Sequence, residues 1–153
     1  MEKSYEYIVS ACLCGENCRY DGKSTLSERV KRLVDEGKAI TVCPEVEGGL
    51  PIPRHPCEIR GNRVVNSHNE DKTEEFISGA EKVLELVKKH NIKKAILKEK
   101  SPSCGSSFIY DGTFSRKLIK GQGITTKLLR ENGIEVISDE EFDEFGEFGD
   151  GSF

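Results

Sequence analysis

Three short apolar runs, at residues 7–11, 39–42 and 95–97, each give way within a few residues to a loop that carries a cysteine. Helical patterns separate them. This alternation constrains the chain more than any other feature, because parallel strands need a crossover connection to bring the chain back, and a helix usually supplies it. A fourth run, Ile-Glu-Val-Ile at 134–137, extends the series. With right-handed crossovers, the strand order 2-1-3-4 places a switch point between strands 1 and 3. The expected fold is therefore one α/β domain, Rossmann-like or flavodoxin-like, with a mostly parallel sheet and flanking helices.

The intervening segments fit that scheme. Residues 24–36 read as a helix with Leu26, Val30, Leu33 and Val34 on one face and Thr25 with Glu28 at capping-box spacing. Residues 46–54 are rich in Gly and Pro and read as irregular chain. Gly61-Asn62 between two short β-prone runs signals a small hairpin excursion. The longest helix spans 71–90, with Phe76, Ala80, Val83, Leu84 and Val87 buried and Asp71 with Glu74 as a capping pair. Asp111-Gly112 reads as a turn, 125–132 as a helix, and Ser138 with Glu141 as the cap of a last short helix. Residues 1–141 form the expected domain, and 142–153 an acidic, Gly-rich tail.

Composition narrows the function. The chain has 153 residues, 33% of them charged, and a formal net charge of −4, which offers no basic surface for nucleic acid. No apolar run is long enough to span a membrane, and the N-terminus lacks a secretory pattern, so a cytoplasmic protein is expected. Six cysteines then need a reason, because a reducing compartment disfavours structural disulfides and favours metal or redox roles.

Cys12, Cys43 and Cys104 each stand just beyond a predicted parallel strand. In a parallel sheet those ends share one edge, the edge at which open α/β sheets bind ligands. Three thiolates meeting there suit a soft metal or an iron–sulfur cluster. No paired Cys-x-x-Cys knuckles are present, and the spacing of Cys12, Cys14 and Cys18 matches no common zinc or ferredoxin pattern. Three ligands instead suggest a cluster with one iron left without a cysteine, able to act as a Lewis acid. Cys14 and Cys18 read as ordinary loop or core residues, with a fourth-ligand or redox role as the alternative, and Cys57 reads as structural. Glu45 and Ser101 stand close to Cys43 and Cys104 in sequence, suited to proton transfer and to hydrogen-bond donation. His55, His68 and His90 have no metal-ligand spacing to a cysteine.

Together, Val9-Ser-Ala-Cys12, Gly15-Glu-Asn-Cys-Arg-Tyr-Asp-Gly22, Cys43-Pro-Glu-Val46, Gly48-Gly-Leu-Pro-Ile-Pro-Arg54, Ser101-Pro-Ser-Cys-Gly105, Tyr110-Asp-Gly-Thr-Phe114 and Glu131-Asn-Gly-Ile-Glu-Val136 resemble the DUF523 family, which includes the thiouracil desulfurases. The resemblance runs to about Glu141. It implies a Rossmann-like fold and an oxygen-sensitive [4Fe-4S] cluster on Cys12, Cys43 and Cys104. It further implies that the sulfur of a thiolated pyrimidine binds the iron without a cysteine. Water then replaces that sulfur without net redox change, by way of a cluster carrying an extra sulfide. Glu45 and Ser101 match the acid/base and hydrogen-bonding residues. Cys14 and Cys57 depart from the family pattern. The expected partner is a small thiolated base, with no membrane or nucleic acid. The competing readings are a sulfur or metal carrier without desulfurase activity, and a zinc protein or thiol oxidoreductase.

Overall fold

The computed structural model describes residues 5–22 and 26–145. Four parallel strands form the central sheet: β1 (Tyr7–Ser10), β2 (Ala39–Val42), β5 (Lys94–Leu97) and β8 (Glu135–Ser138), in the order β2-β1-β5-β8. That is the expected order. The chain moves outward from β1 to β2, then returns across β1 to β5, so the switch point lies between β1 and β5. Tyr7 stands opposite Ala39 on one side and Lys94 on the other, which aligns the carboxyl ends of all three strands.

Alternation along the strands sorts two cores. Ile8, Ala95, Leu97 and Val136 face α3 (Thr73–Lys89) and α4 (Ile124–Glu131), meeting Val83, Val87 and Leu129. Val9, Ile96 and Ile137 point the other way, toward Val30 of α1 (Glu28–Asp35) and Phe142 of α5 (Asp139–Phe145). Strands covered on both faces read as continuous apolar runs, which is why they stand out in the sequence.

The hairpin excursion is β3 (Cys57–Arg60) and β4 (Arg63–Asn66), joined at Gly61-Asn62 as expected. Ser138 and Glu141 form the expected reciprocal cap: Glu141 N donates to Ser138 Oγ at 3.0 Å, and Ser138 N donates to the Glu141 carboxylate at 3.3 Å.

Several local expectations are corrected. Helix α1 begins at Glu28, and Ser27 caps it by accepting from Val30 N; the expected start and the Thr25 cap involve 23–25, which lie outside the described residues. Leu26 precedes the cap and is 50% exposed, not part of the buried face. Asp71 does not cap α3, because its carboxylate is taken by Thr73 N and by Arg63. Val46 and Glu47, read as irregular, close a one-turn helix, α2 (Pro44–Glu47), with Pro44 in its first turn, where a missing N–H costs nothing. It crosses α3 where Gly48 faces Gly79, and a Cβ on Gly79 would lie 2.0 Å from Pro44 O.

Asp111-Gly112 is no tight hairpin turn. β6 (Phe108–Tyr110) pairs with β7 (Leu118–Lys120), leaving 111–117 as a long loop. The buried Glu58 carboxylate draws that loop onto β3 by accepting from Gly112 N and Phe114 N. Helix α5 also carries the packed chain past Glu141: Phe142 is buried, and Arg29 donates to the carbonyls of Phe142 and Asp143. Of the expected tail at 142–153, residues 146–153 lie outside the described residues.

Candidate active site

The loops leaving β1, β2 and β5 enclose a cavity of about 530 Å3 at the carboxyl edge of the sheet. Cys12, Cys43, Cys104, Glu45 and Ser101 all line it. Each arrives by a different local device.

Cys12 sits on a 3-10 turn, Ala11–Cys14, that continues β1 and ends at Gly15 with φ of 91°. The left-handed backbone there suits glycine and returns the chain toward the cavity. Cys43 is the residue before α2, and Pro44 prevents β2 from running further. Cys104 lies in the serine-rich loop after β5, which is folded around Glu99. That carboxylate, 4% exposed, accepts from the backbone of Lys100, Ser106, Ser107 and Phe108 and from the Ser106 hydroxyl. Burial opposes its ionisation, but these donors outweigh the penalty and hold the carboxyl below its ordinary range.

Helix α4 clamps the same loop from the other side. Thr125 N and Thr126 N donate to Ser103 O, the Thr125 and Ser103 hydroxyls pair at 2.7 Å, and Thr126 Oγ1 donates to Cys104 O at 2.8 Å. Gly123 permits the approach, since a Cβ there would lie 2.3 Å from the Ser103 carbonyl.

Two hydroxyls meet this loop in ways that suit them to donate. Ser10 Oγ accepts from Lys98 N at 3.0 Å and directs its proton to Cys104 Sγ at 3.7 Å. Ser101 Oγ accepts from Ser103 N and Cys104 N at 3.0 and 3.1 Å, which leaves its O–H to donate. Glu45 is ion-paired with Arg54, whose Nη2 stands 2.6 Å from Oε2. Backbone strain gathers here too. Lys100, Phe114 and Arg116, three of the five described non-glycine residues with positive φ, line the cavity.

Burial pushes the Cys104 thiol up to about 12; the Glu45 charge adds to the effect and the Ser10 hydroxyl opposes it. Contact with the Cys18 thiol, then burial, raises Cys43 as well. These are groups that stay protonated alone and give up their protons to a metal centre. Cys18, read as a loop residue, instead lines the cavity and contacts both Cys12 and Cys43. Cys57 also lines the cavity, whereas Cys14 packs beside the α1 core. His55 is at the cavity's exposed rim, packed against His68 with ring centroids 3.9 Å apart and ring planes tilted by 43°.

The donor set suits a polynuclear cluster. A single zinc ion draws its thiolates to about 2.3 Å of one point. Among the described residues, no three His, Cys, Asp or Glu side chains converge in that way. The three strand-end thiols stand instead around a cavity roomy enough for a bulky group.

Sequence reasoning missed Arg54, Glu99, Ser10 and the Thr125-Thr126 pair. Arg54 had a signal, as a lone cation closing a Gly/Pro loop. Glu99 and Ser10 had none, because their partners are backbone groups distant in the chain.

A parallel α/β sheet with three thiols, a carboxylate and a hydroxyl around one cavity at its switch-point edge has the layout of an α/β enzyme with a thiol-lined site. The chain belongs to the 2-thiouracil desulfurase family, whose description matches residues 7–141. It is similar to the solved structure of the [4Fe-4S]-dependent thiouracil desulfidase TudS (DUF523Vcz), with 47% identity and a TM-score of 0.88, over 94% of this chain and 96% of that one. It is also 46% identical to the uncharacterized protein YbbK of Bacillus subtilis (strain 168), over 90% of this chain and 97% of that protein. The expected family and fold, a desulfurase-class enzyme and a [4Fe-4S] cofactor are supported by these likenesses. Among the described residues no helix is long and apolar enough to cross a membrane.

Proposed function

We propose that this protein is a [4Fe-4S]-dependent desulfurase that replaces the thiocarbonyl sulfur of a 2-thiouracil-like pyrimidine with oxygen from water. Cys12, Cys43 and Cys104 would hold the cluster. The observation that carries the reading is their meeting, from three separate strand ends, in one cavity with Glu45 and Ser101. When bound, such a cluster supplies an iron without a cysteine ligand, a Lewis acid for the thiocarbonyl sulfur.

The protein's own groups do the rest. Glu45 takes a proton from the water that adds to the thiocarbonyl carbon, then returns it as sulfide leaves. Ser101, with both lone pairs engaged by backbone N–H groups, donates its proton to a polar atom of the ring and orients it. The balance is thiouracil plus water giving uracil plus hydrogen sulfide, with no electron acceptor required.

The test is anaerobic reconstitution with iron and sulfide, followed by assay on 2-thiouracil. Uracil and sulfide should form in equal amounts. Cys104→Ser should lower both cluster content and turnover at least about a hundredfold. A stable cluster that releases no sulfide from any thiolated pyrimidine overturns the substrate claim. Stoichiometric zinc with no iron overturns the cofactor.

A further inference from the structure

We propose that Arg54 is the positioning residue for Glu45, fixing its carboxylate and the Cys18 backbone as one unit in the cavity wall; this rests on the reading of Glu45 as the proton-transfer group. Between 48 and 53 the loop contains two glycines, whose backbone is the least restricted, and two prolines, which have no N–H to donate. Arg54 ties it down. Its backbone N donates to Tyr20 O at 2.7 Å, and its Nη1 to Pro51 O at 3.0 Å. Its Nη2 serves two acceptors at once, Glu45 Oε2 at 2.6 Å and Cys18 O at 3.0 Å. One side chain thus joins the loop after β1, the helix after β2 and the Gly/Pro loop.

The chemistry favours orientation over simple charge pairing. The Arg54 side chain is 5% exposed and that of Glu45 18%, so the pair is screened little by water. A guanidinium is a flat fork with fixed donor directions, and two acceptors on one nitrogen leave it no freedom to swing. Among the described residues the Arg54 contact falls on Oε2, and Oε1 is the oxygen offered for proton transfer. The Cys18 carbonyl that Arg54 grips also accepts from the Cys43 thiol at 3.7 Å, which couples the carboxylate to a cysteine of the site. Three other cavity cations have carboxylate partners of their own: Lys98 with Asp139, Lys100 with Glu140 and Arg19 with Asp21.

A double-mutant cycle on the reconstituted full chain tests this, with 2-thiouracil as substrate and iron and acid-labile sulfide measured for each variant. Arg54→Met should lower kcat about 10- to 100-fold, with KM within about threefold and cluster content unchanged, as expected when a group about 1 Å out of place loses its alignment. In the Glu45→Gln background the same substitution should cost less than about threefold, because the group it positions is already gone. Arg54→Lys keeps the charge without the fork and should fall between Arg54→Met and the wild type. Equal losses in both backgrounds overturn the proposal, as does a loss confined to KM or to cluster content. Should Arg54→Met alone fail to fold, the cycle is read with Arg54→Lys on the same criteria. Full turnover of Glu45→Gln overturns the acid–base reading and this proposal with it, whereas independent losses overturn this proposal alone.

Discussion

Glu99 shows how a single buried charge can shape an active-site loop. Its carboxylate gathers four backbone donors and a hydroxyl, and the loop that delivers Cys104 and Ser101 wraps around it. Because its folded-state pKa lies below the unfolded value of about 4.3, the stability it contributes is complete above that pH. The contribution is lost as pH falls through the folded value. Glu99→Gln should therefore cost about 3 kcal/mol at neutral pH. The gap from wild type should narrow in thermal melts taken progressively below about pH 4. A gap that stays constant with pH would show that the ionised form contributes nothing. Residues of this kind were invisible in the sequence, where Lys98-Glu-Lys100 looks like an ordinary charged surface run.

Among the elements, helix α4 most directly sets the site. Its first turn donates to Ser103 O and Cys104 O, and Gly123 gives it room to do so. Gly123 has φ of −72°, so alanine suits the backbone there and only the contact is at stake. Gly123→Ala should cost about 1–3 kcal/mol through overpacking and push the Cys104 loop outward. Calorimetry and iron content after reconstitution check it; a variant with wild-type stability and full iron uptake would remove α4 as the clamp. Periodicity located the helix to within a residue at each end. That its N-terminus grips the cysteine loop follows from packing across the β5–β8 crossover, which no local pattern encodes.

Over the whole molecule, the sheet gathers contributions from both of its faces at one edge. Cys104 belongs to the core on the α3 and α4 side, Cys12 and Cys43 to the core on the α1 and α5 side. The latter core depends on the C-terminal helix, since Phe142 packs with Cys12, Leu13, Val30 and Ile137. Phe142→Ala should then cost about 3 kcal/mol, or a drop in Tm of about 6–12 °C for a domain of this size. An unchanged Tm would mean that the packed domain ends at Glu141, as the sequence suggested.

The amino-acid sequence by itself determined the alternation of strands and helices, the strand order and the identity of the three strand-end cysteines. These follow from short-range periodicity, from stop signals such as Pro44 and Gly133, and from the handedness of crossovers. The residue pattern of the family carried the expected chemistry. Only the tertiary structure decided what surrounds those cysteines: Cys18 and Cys57 in the cavity wall, Ser10 on Cys104, Glu99 inside its loop and Arg54 on Glu45. Each of these is a contact between segments brought together by the sheet. Their energies come from burial and hydrogen-bond direction, neither of which exists until the chain has folded.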